Sequence, residues 1–139
     1  MIKILPADKY FSLCIRERSD NTCERCGTVY QGRPGLQCCH YESRRNYSLR
    51  FDPINAFSLD FGCHQLLDGS PIQFTKFYIE KRGQLALDVL VELSCNINRG
   101  KEIKHSLKEI ETHYREEYES MLLKRSYGLT GWLDFIGYN

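Results

Sequence analysis

Cys23-x-x-Cys26, Cys38-Cys39-His40, Asn55 and Cys63-His64 fall within about forty residues of one another. Thiols and imidazoles at this density point to metal chemistry. A structural zinc ion takes four ligands in a tetrahedron and accepts thiolates readily. Cys23 and Cys26 make half of such a site, and Cys63 supplies a third thiolate. For the fourth, ligand softness favours Cys38. Register favours Asp60, which stands where a second Cys-x-x-Cys would begin, and Cys39 comes last. A redox role for Cys23 and Cys26 would need a thioredoxin-like βαβ pattern, which the flanking residues lack.

The histidines carry a second chemistry. Hydrolysis of a phosphodiester needs an activated water, charge stabilisation at the phosphate and help for the leaving oxygen. An imidazole titrates near neutral pH and can take a proton from water. His40 is the candidate base. Asn55 is the candidate orienting residue, holding the His40 strand or ring through its amide, and His64 is the candidate ligand of a divalent ion. Mg²⁺ or Mn²⁺ is the expected ion, because Mg²⁺ keeps several waters and needs few protein ligands. Asp68, one turn past His64, becomes a second ligand if the helix persists that far. Arg44, Arg45 and Arg50 form a basic stretch suited to DNA phosphates, which arginine forks hold bidentately. Such contacts position a backbone without reading its sequence. His105 and His113 lie in a charged helical stretch and read as surface residues.

The elements that must position these groups follow from periodicity and punctuation. Residues 6–18 predict a helix that starts at Pro6 and turns Tyr10, Leu13, Cys14 and Glu17 inward. Residues 23–27 form a knuckle. Residues 36–41 and 56–59 predict two antiparallel strands, with an ordered loop over 42–52 and a turn at Asp52-Pro53. Residues 62–67 open a short helix carrying His64. Two apolar helices follow over 71–81 and 85–93, then a loop over 96–100. A long amphipathic helix spans 101–125, with Ile103, Leu107, Ile110, Tyr114, Tyr118 and Met121 on one stripe. That stripe packs on the domain, with a homodimer seam as the alternative. Trp132, Leu133, Phe135 and Ile136 predict a tail that folds back onto the core or onto a second subunit.

The whole has 139 residues, 42% of them hydrophobic, which fits one ordinary domain with a core. The expected division is a core over 1–83 and a helical extension over 84–139 packed on it. No stretch approaches the ~20 apolar residues of a membrane span, and the apolar start is too short for a signal peptide. A cytoplasmic protein with no membrane partner is expected. Seven cysteines, odd in number and clustered, favour metal over disulfides in that setting. Cys14 and Cys95 stand apart from the cluster and read as core. The net charge of +1 excludes a polycation, so any DNA contact must be local.

The runs Cys-x-x-Cys-Gly, Leu-Gln-Cys-Cys-His-Tyr-x-Ser-Arg-Arg, Arg-Phe-Asp-Pro-x-Asn-Ala and Gly-Cys-His-Gln together resemble the phage HNH endonucleases of the His-Me finger (ββα-metal) superfamily. They are similar to the NinG-like recombination nucleases, and more distantly to phage junction-resolving endonuclease VII. The resemblance covers residues 23–77. It implies an α+β fold, mostly helical, with a zinc-stabilised ββα core. It also implies His40 as general base, Asn55 as orienting residue, His64 as metal ligand, and Cys23, Cys26 and Cys63 as the zinc knuckle. Two positions depart from the pattern. Cys39 stands where many members carry an acidic or histidine metal ligand, and Asp60 replaces a cysteine of the second Cys-x-x-Cys. The expected function is a metal-dependent DNA endonuclease in phage recombination or replication. It would be non-sequence-specific or selective for branched DNA, and would act in the host cytoplasm. The alternative is a catalytically inactive, zinc-stabilised DNA-binding or adaptor protein.

Overall fold

The computed structural model describes residues 2–139. Its two strands, β1 (Leu36–His40) and β2 (Ala56–Asp60), pair antiparallel with Leu36 opposite Asp60 and His40 opposite Ala56. Around this hairpin lie α1 (Pro6–Arg18), α2 (Tyr47–Arg50), α3 (Phe61–Asp68), α4 (Pro71–Arg82), α5 (Gln84–Ser94), α6 (Ile97–His105) and α7 (Leu107–Ser126). Among the described residues the protein is therefore mixed α+β and mostly helical. None of these helices is long and apolar enough to cross a membrane.

Side chains alternate between the two faces of a strand, and here helices cover both faces. On one face Cys39, Phe57 and Leu59 pack with Leu67, Phe74, Phe77, Tyr78, Leu87 and Leu90 of α3, α4 and α5. On the other, Cys38 and Ala56 pack with Phe11, Cys14 and Ile15 of α1 and with Ile110, Tyr114 and Met121 of α7. Each fully buried aromatic such as Phe57 contributes roughly 1.5–3 kcal/mol. Tyr78 and Tyr114 are equally buried, and their hydroxyls donate to the carbonyls of Ile54 and Phe51, so neither core holds an orphan phenol. The two chain ends share the second core. Helix α7 closes on α1 there.

Local sequence explains most helix ends. The Asp8 carboxylate accepts the Leu5 N–H at 2.7 Å and opens α1. Asp60 accepts the Cys63 N–H at 2.9 Å and caps α3, and Asn96 accepts the Arg99 N–H at 3.0 Å and caps α6. That last cap corrects the expected loop over 96–100. Helix α6 lies against α2 at Gly100, where a Cβ would meet the Ser48 nitrogen at 3.5 Å, in ordinary van der Waals contact. The expected single helix over 101–125 is divided at Ser106, whose N–H returns to the Ile103 carbonyl. The apolar stripe survives the break: Ile103, Ile110, Tyr114 and Met121 are buried within the chain.

Other expectations change. On α1 Cys14 and Glu17 are buried as expected, together with Ala7, Asp8, Phe11, Ile15 and Arg18, whereas Tyr10 and Leu13 are only partly covered. Cys14 is core, its thiol donating to the Tyr114 carbonyl at 3.3 Å, whereas Cys95 ends α5 in solvent. The tail folds back as expected. Leu133 N–H bonds the Arg18 carbonyl at 2.9 Å, and the Trp132 ring lies 4.9 Å from the Arg18 guanidinium.

Candidate metal centres and the adjoining groove

The knuckle is a tight turn in which the Gly27 N–H bonds the Cys23 carbonyl at 2.9 Å, with Gly27 at φ +79°. It is pinned to β2 twice, by Glu24 N–H to the Ser58 carbonyl at 2.8 Å and by Ser58 N–H to the Glu24 carboxylate at 2.7 Å. This brings Cys23 and Cys26 to the end of β2, where Asp60 and Cys63 sit at the strand-to-helix junction. One ligand atom from each of Cys23, Cys26, Asp60 and Cys63 lies within 4.8 Å of all the others. Three thiols and a carboxylate suit a tetrahedral ion such as zinc. Donors already point at the sulfurs: Asp60 N–H at Cys23 Sγ (3.4 Å) and the Arg25 guanidinium at Cys63 Sγ (3.5 Å). Outer hydrogen bonds of this kind favour thiolate over thiol. The Cys63 N–H, with Cys26 and Tyr30 behind it, holds the Asp60 carboxyl down at about 2, so it is charged at neutral pH.

The fourth member of this cluster is Asp60, and Cys38, the expected fourth ligand, lies apart from it. Cys38 pairs with Ser58 in mid-strand and faces α1, and burial pushes its thiol up to about 12. The strand's period of two places Cys38 and Cys39 on opposite faces, and neither faces the knuckle.

Cys39 instead joins His64 and Asp68, again with ligand atoms all within 4.8 Å. Helix α3 runs through Asp68, so His64 and Asp68 share one helical face, with Nε2 3.0 Å from an Asp68 oxygen. Nδ1 of His64 lies 2.6 Å from the Gln37 side-chain oxygen on β1. The ring thus bridges β1 and α3, and its Nε2–Asp68 contact at 3.0 Å is closed either by a proton on Nε2 or by a cation between the two atoms. The cluster therefore fits a cation.

His40 stands on the other face of β1, half-buried, with its ring 5.8 Å from Phe11. Its Nε2 lies 2.9 Å from the Arg50 carbonyl. A carbonyl only accepts, so Nε2 carries the proton and Nδ1 holds the lone pair. Burial pushes His40 down to about 4, against the raising effect of that carbonyl, so the ring is neutral at pH 7.

Asn55 is fully buried and touches no ring. Its amide accepts the Glu42 N–H at 2.7 Å and donates to the carbonyls of Glu42 (3.0 Å) and Leu49 (3.1 Å). It clips together both ends of the loop that follows His40 and so fixes the Arg50 carbonyl on which His40 rests. Asn55→Ala removes three buried hydrogen bonds and is expected to cost about 1–3 kcal/mol, read as a lowered midpoint in urea with an unchanged slope.

Arg50 is not a phosphate ligand. It is 2% exposed, and its guanidinium donates to Asp8 at 3.0 and 2.6 Å and to the Lys3 carbonyl at 2.8 Å. Its role is to tie α2 to the start of α1. Arg44 lines a groove and Arg45 is exposed.

That groove, about 850 Å³, follows the unpaired edge of β1. His40 reaches it from one face of the strand, and His64 and Asp68 reach it from the other. Lys9, Ser12 and Arg16 of α1, with Arg44, complete it on the His40 side. The α1 residues were missed in the sequence, although their spacing of three and four marks one helical face. Gln37 was missed too, and only its strand position opposite Leu59, on the α3 side, explains its reach to His64. Comparison with known protein families, curated proteins and solved structures gives no match.

Proposed function

We propose that the chain is a metal-dependent DNA endonuclease with the ββα arrangement of HNH enzymes, stapled by zinc at Cys23, Cys26, Asp60 and Cys63. The observation that carries this reading is that His40 lines one groove, at the free edge of β1, with His64 and Asp68, the two members of the second cluster that reach it.

His40 holds its Nε2 proton on the Arg50 carbonyl and takes the proton of a water on Nδ1. The same carbonyl steadies the imidazolium that results. Asn55 is a positioning residue, acting on His40 through the loop. A divalent ion held by Cys39, His64 and Asp68 would supply charge stabilisation to the phosphate and its leaving oxygen. Lys9, Arg16 and Arg44 hold flanking phosphates by charge, without reading bases. This favours cleavage directed by DNA structure or by no sequence at all.

Incubation with supercoiled plasmid and Mg²⁺, Mn²⁺, Co²⁺ or Zn²⁺ tests the reading. Open-circular product that disappears with chelator is expected. Plasmid left intact with every ion, while DNA is still retarded in a gel at low salt, would replace the nuclease with the inactive adaptor.

A further inference from the structure

The resemblance to HNH nucleases implies Mg²⁺ or Mn²⁺ at the cation centre, and the donor set disagrees. Mg²⁺ takes oxygen ligands in a near-ideal octahedron and is a poor partner for sulfur. Cys39 cannot turn away from an ion placed there. It is fully buried, held in register opposite Phe57, and its Sγ lies 4.0 Å from an Asp68 oxygen. Any cation gripped by His64 Nε2 and Asp68 must share its shell with that sulfur.

We propose that the centre formed by Cys39, His64 and Asp68 takes a thiophilic divalent ion, Zn²⁺ with Co²⁺ as its surrogate, in preference to Mg²⁺ or Mn²⁺. The inference rests on reading this cluster as the nuclease's cation centre. One sulfur, one imidazole nitrogen and one carboxylate make the mixed donor set that borderline ions prefer. Three protein ligands with an open side are the mark of a catalytic zinc site, as four are of a closed structural one. The open side is here the groove, which His64 and Asp68 line and the buried Cys39 does not. Gln37 completes the case: its side-chain oxygen lies 2.6 Å from His64 Nδ1, the place of the second-shell partner that zinc-binding histidines usually have.

The test is metal stoichiometry on the full chain, exchanged into Co²⁺ under reducing, anaerobic conditions. Two Co²⁺ per chain are expected in the wild type and one in Cys39→Ser. Because three of the four ligating thiolates belong to the knuckle cluster, the sulfur-to-cobalt absorption should fall by about a quarter in that variant. Asp68→Asn, at an exposed position that cannot disturb the core, is expected to weaken the second equivalent by about tenfold or more. Mg²⁺ in large excess is expected to displace neither ion. The proposal is overturned by a single equivalent in the wild type, by an undiminished band in Cys39→Ser, or by displacement with Mg²⁺. Nicking of plasmid by Mg²⁺-loaded protein that binds only one Co²⁺ would sink this inference and leave the nuclease standing. Two thiolate-dependent equivalents with no nicking would do the reverse.

Discussion

His40→Ala is expected to leave supercoiled plasmid uncut on a timescale where the wild type nicks it fully. A positioned general base contributes about 10²–10⁴ in rate, and the other proton acceptors in the groove are engaged: Asp8 is paired with Arg50, and Asp68 with His64. His64 has its Nδ1 engaged by Gln37 and its Nε2 turned to Asp68. Lys9, Arg16 and Arg44 are cations and cannot accept a proton. The substitution loses one hydrogen bond to the Arg50 carbonyl and the Phe11 ring contact. The fold should survive this, and unchanged far-ultraviolet circular dichroism and zinc content serve as the control. DNA affinity should be unchanged, because the phosphate contacts proposed above are on Lys9, Arg16 and Arg44 and not on His40. A fall of less than about tenfold, with the fold intact, would remove His40 from the role of base.

Removal of the knuckle metal is expected to lower the melting temperature by about 10 °C or more. Cys26→Ser is the cleanest way to do it. Cys26 is exposed, so the change opens no cavity, and its loss is felt only through the site. The physical reason is the poverty of apolar contacts around the knuckle. Cys26, Gly27, Thr28 and Val29 are all exposed, and only Cys23 reaches the core. Without an ion, three cysteine sulfurs and a charged carboxylate crowd one another at the end of β2. With one, the binding free energy becomes folding free energy. A net stability of roughly 0.05–0.15 kcal/mol per residue leaves little reserve against that loss. Chelator treatment of the wild type should reproduce the shift, and zinc should restore it. If the purified protein holds no metal and chelator leaves its melting unchanged, the cluster is a set of free thiols.

Cys38 shows where spacing stopped being informative. Softness made it the best fourth ligand on paper, and a cysteine two residues before a histidine in a cysteine-rich stretch carries no sign of its direction. Direction came from the register of a five-residue strand covered by helices on both sides. With no polar face to betray the alternation, Cys38, Cys39 and His40 could not be assigned to α1 or α3 in advance. Arg50 failed for a related reason. In a run of arginines it looked like its neighbours, and only the distant Asp8 on α1 removed it from the surface. Asp68 went the other way: the glycine after it left the end of the helix open, and α3 in fact carries it one turn beyond His64.

The sequence by itself determined the inventory. It specified the knuckle, the hairpin, the helix that bears His64, the amphipathic stripe of the C-terminal half and the returning tail. Each of these is written in local spacing, in caps and in turn residues. Tertiary structure alone decided which atoms meet. Asp60 closes the first metal cluster, Cys39 enters the second, and His40 and His64 come together around the free edge of β1 instead of across a face. Such meetings depend on which side of a strand a side chain leaves from and which helix covers that side, and those are properties of long-range packing.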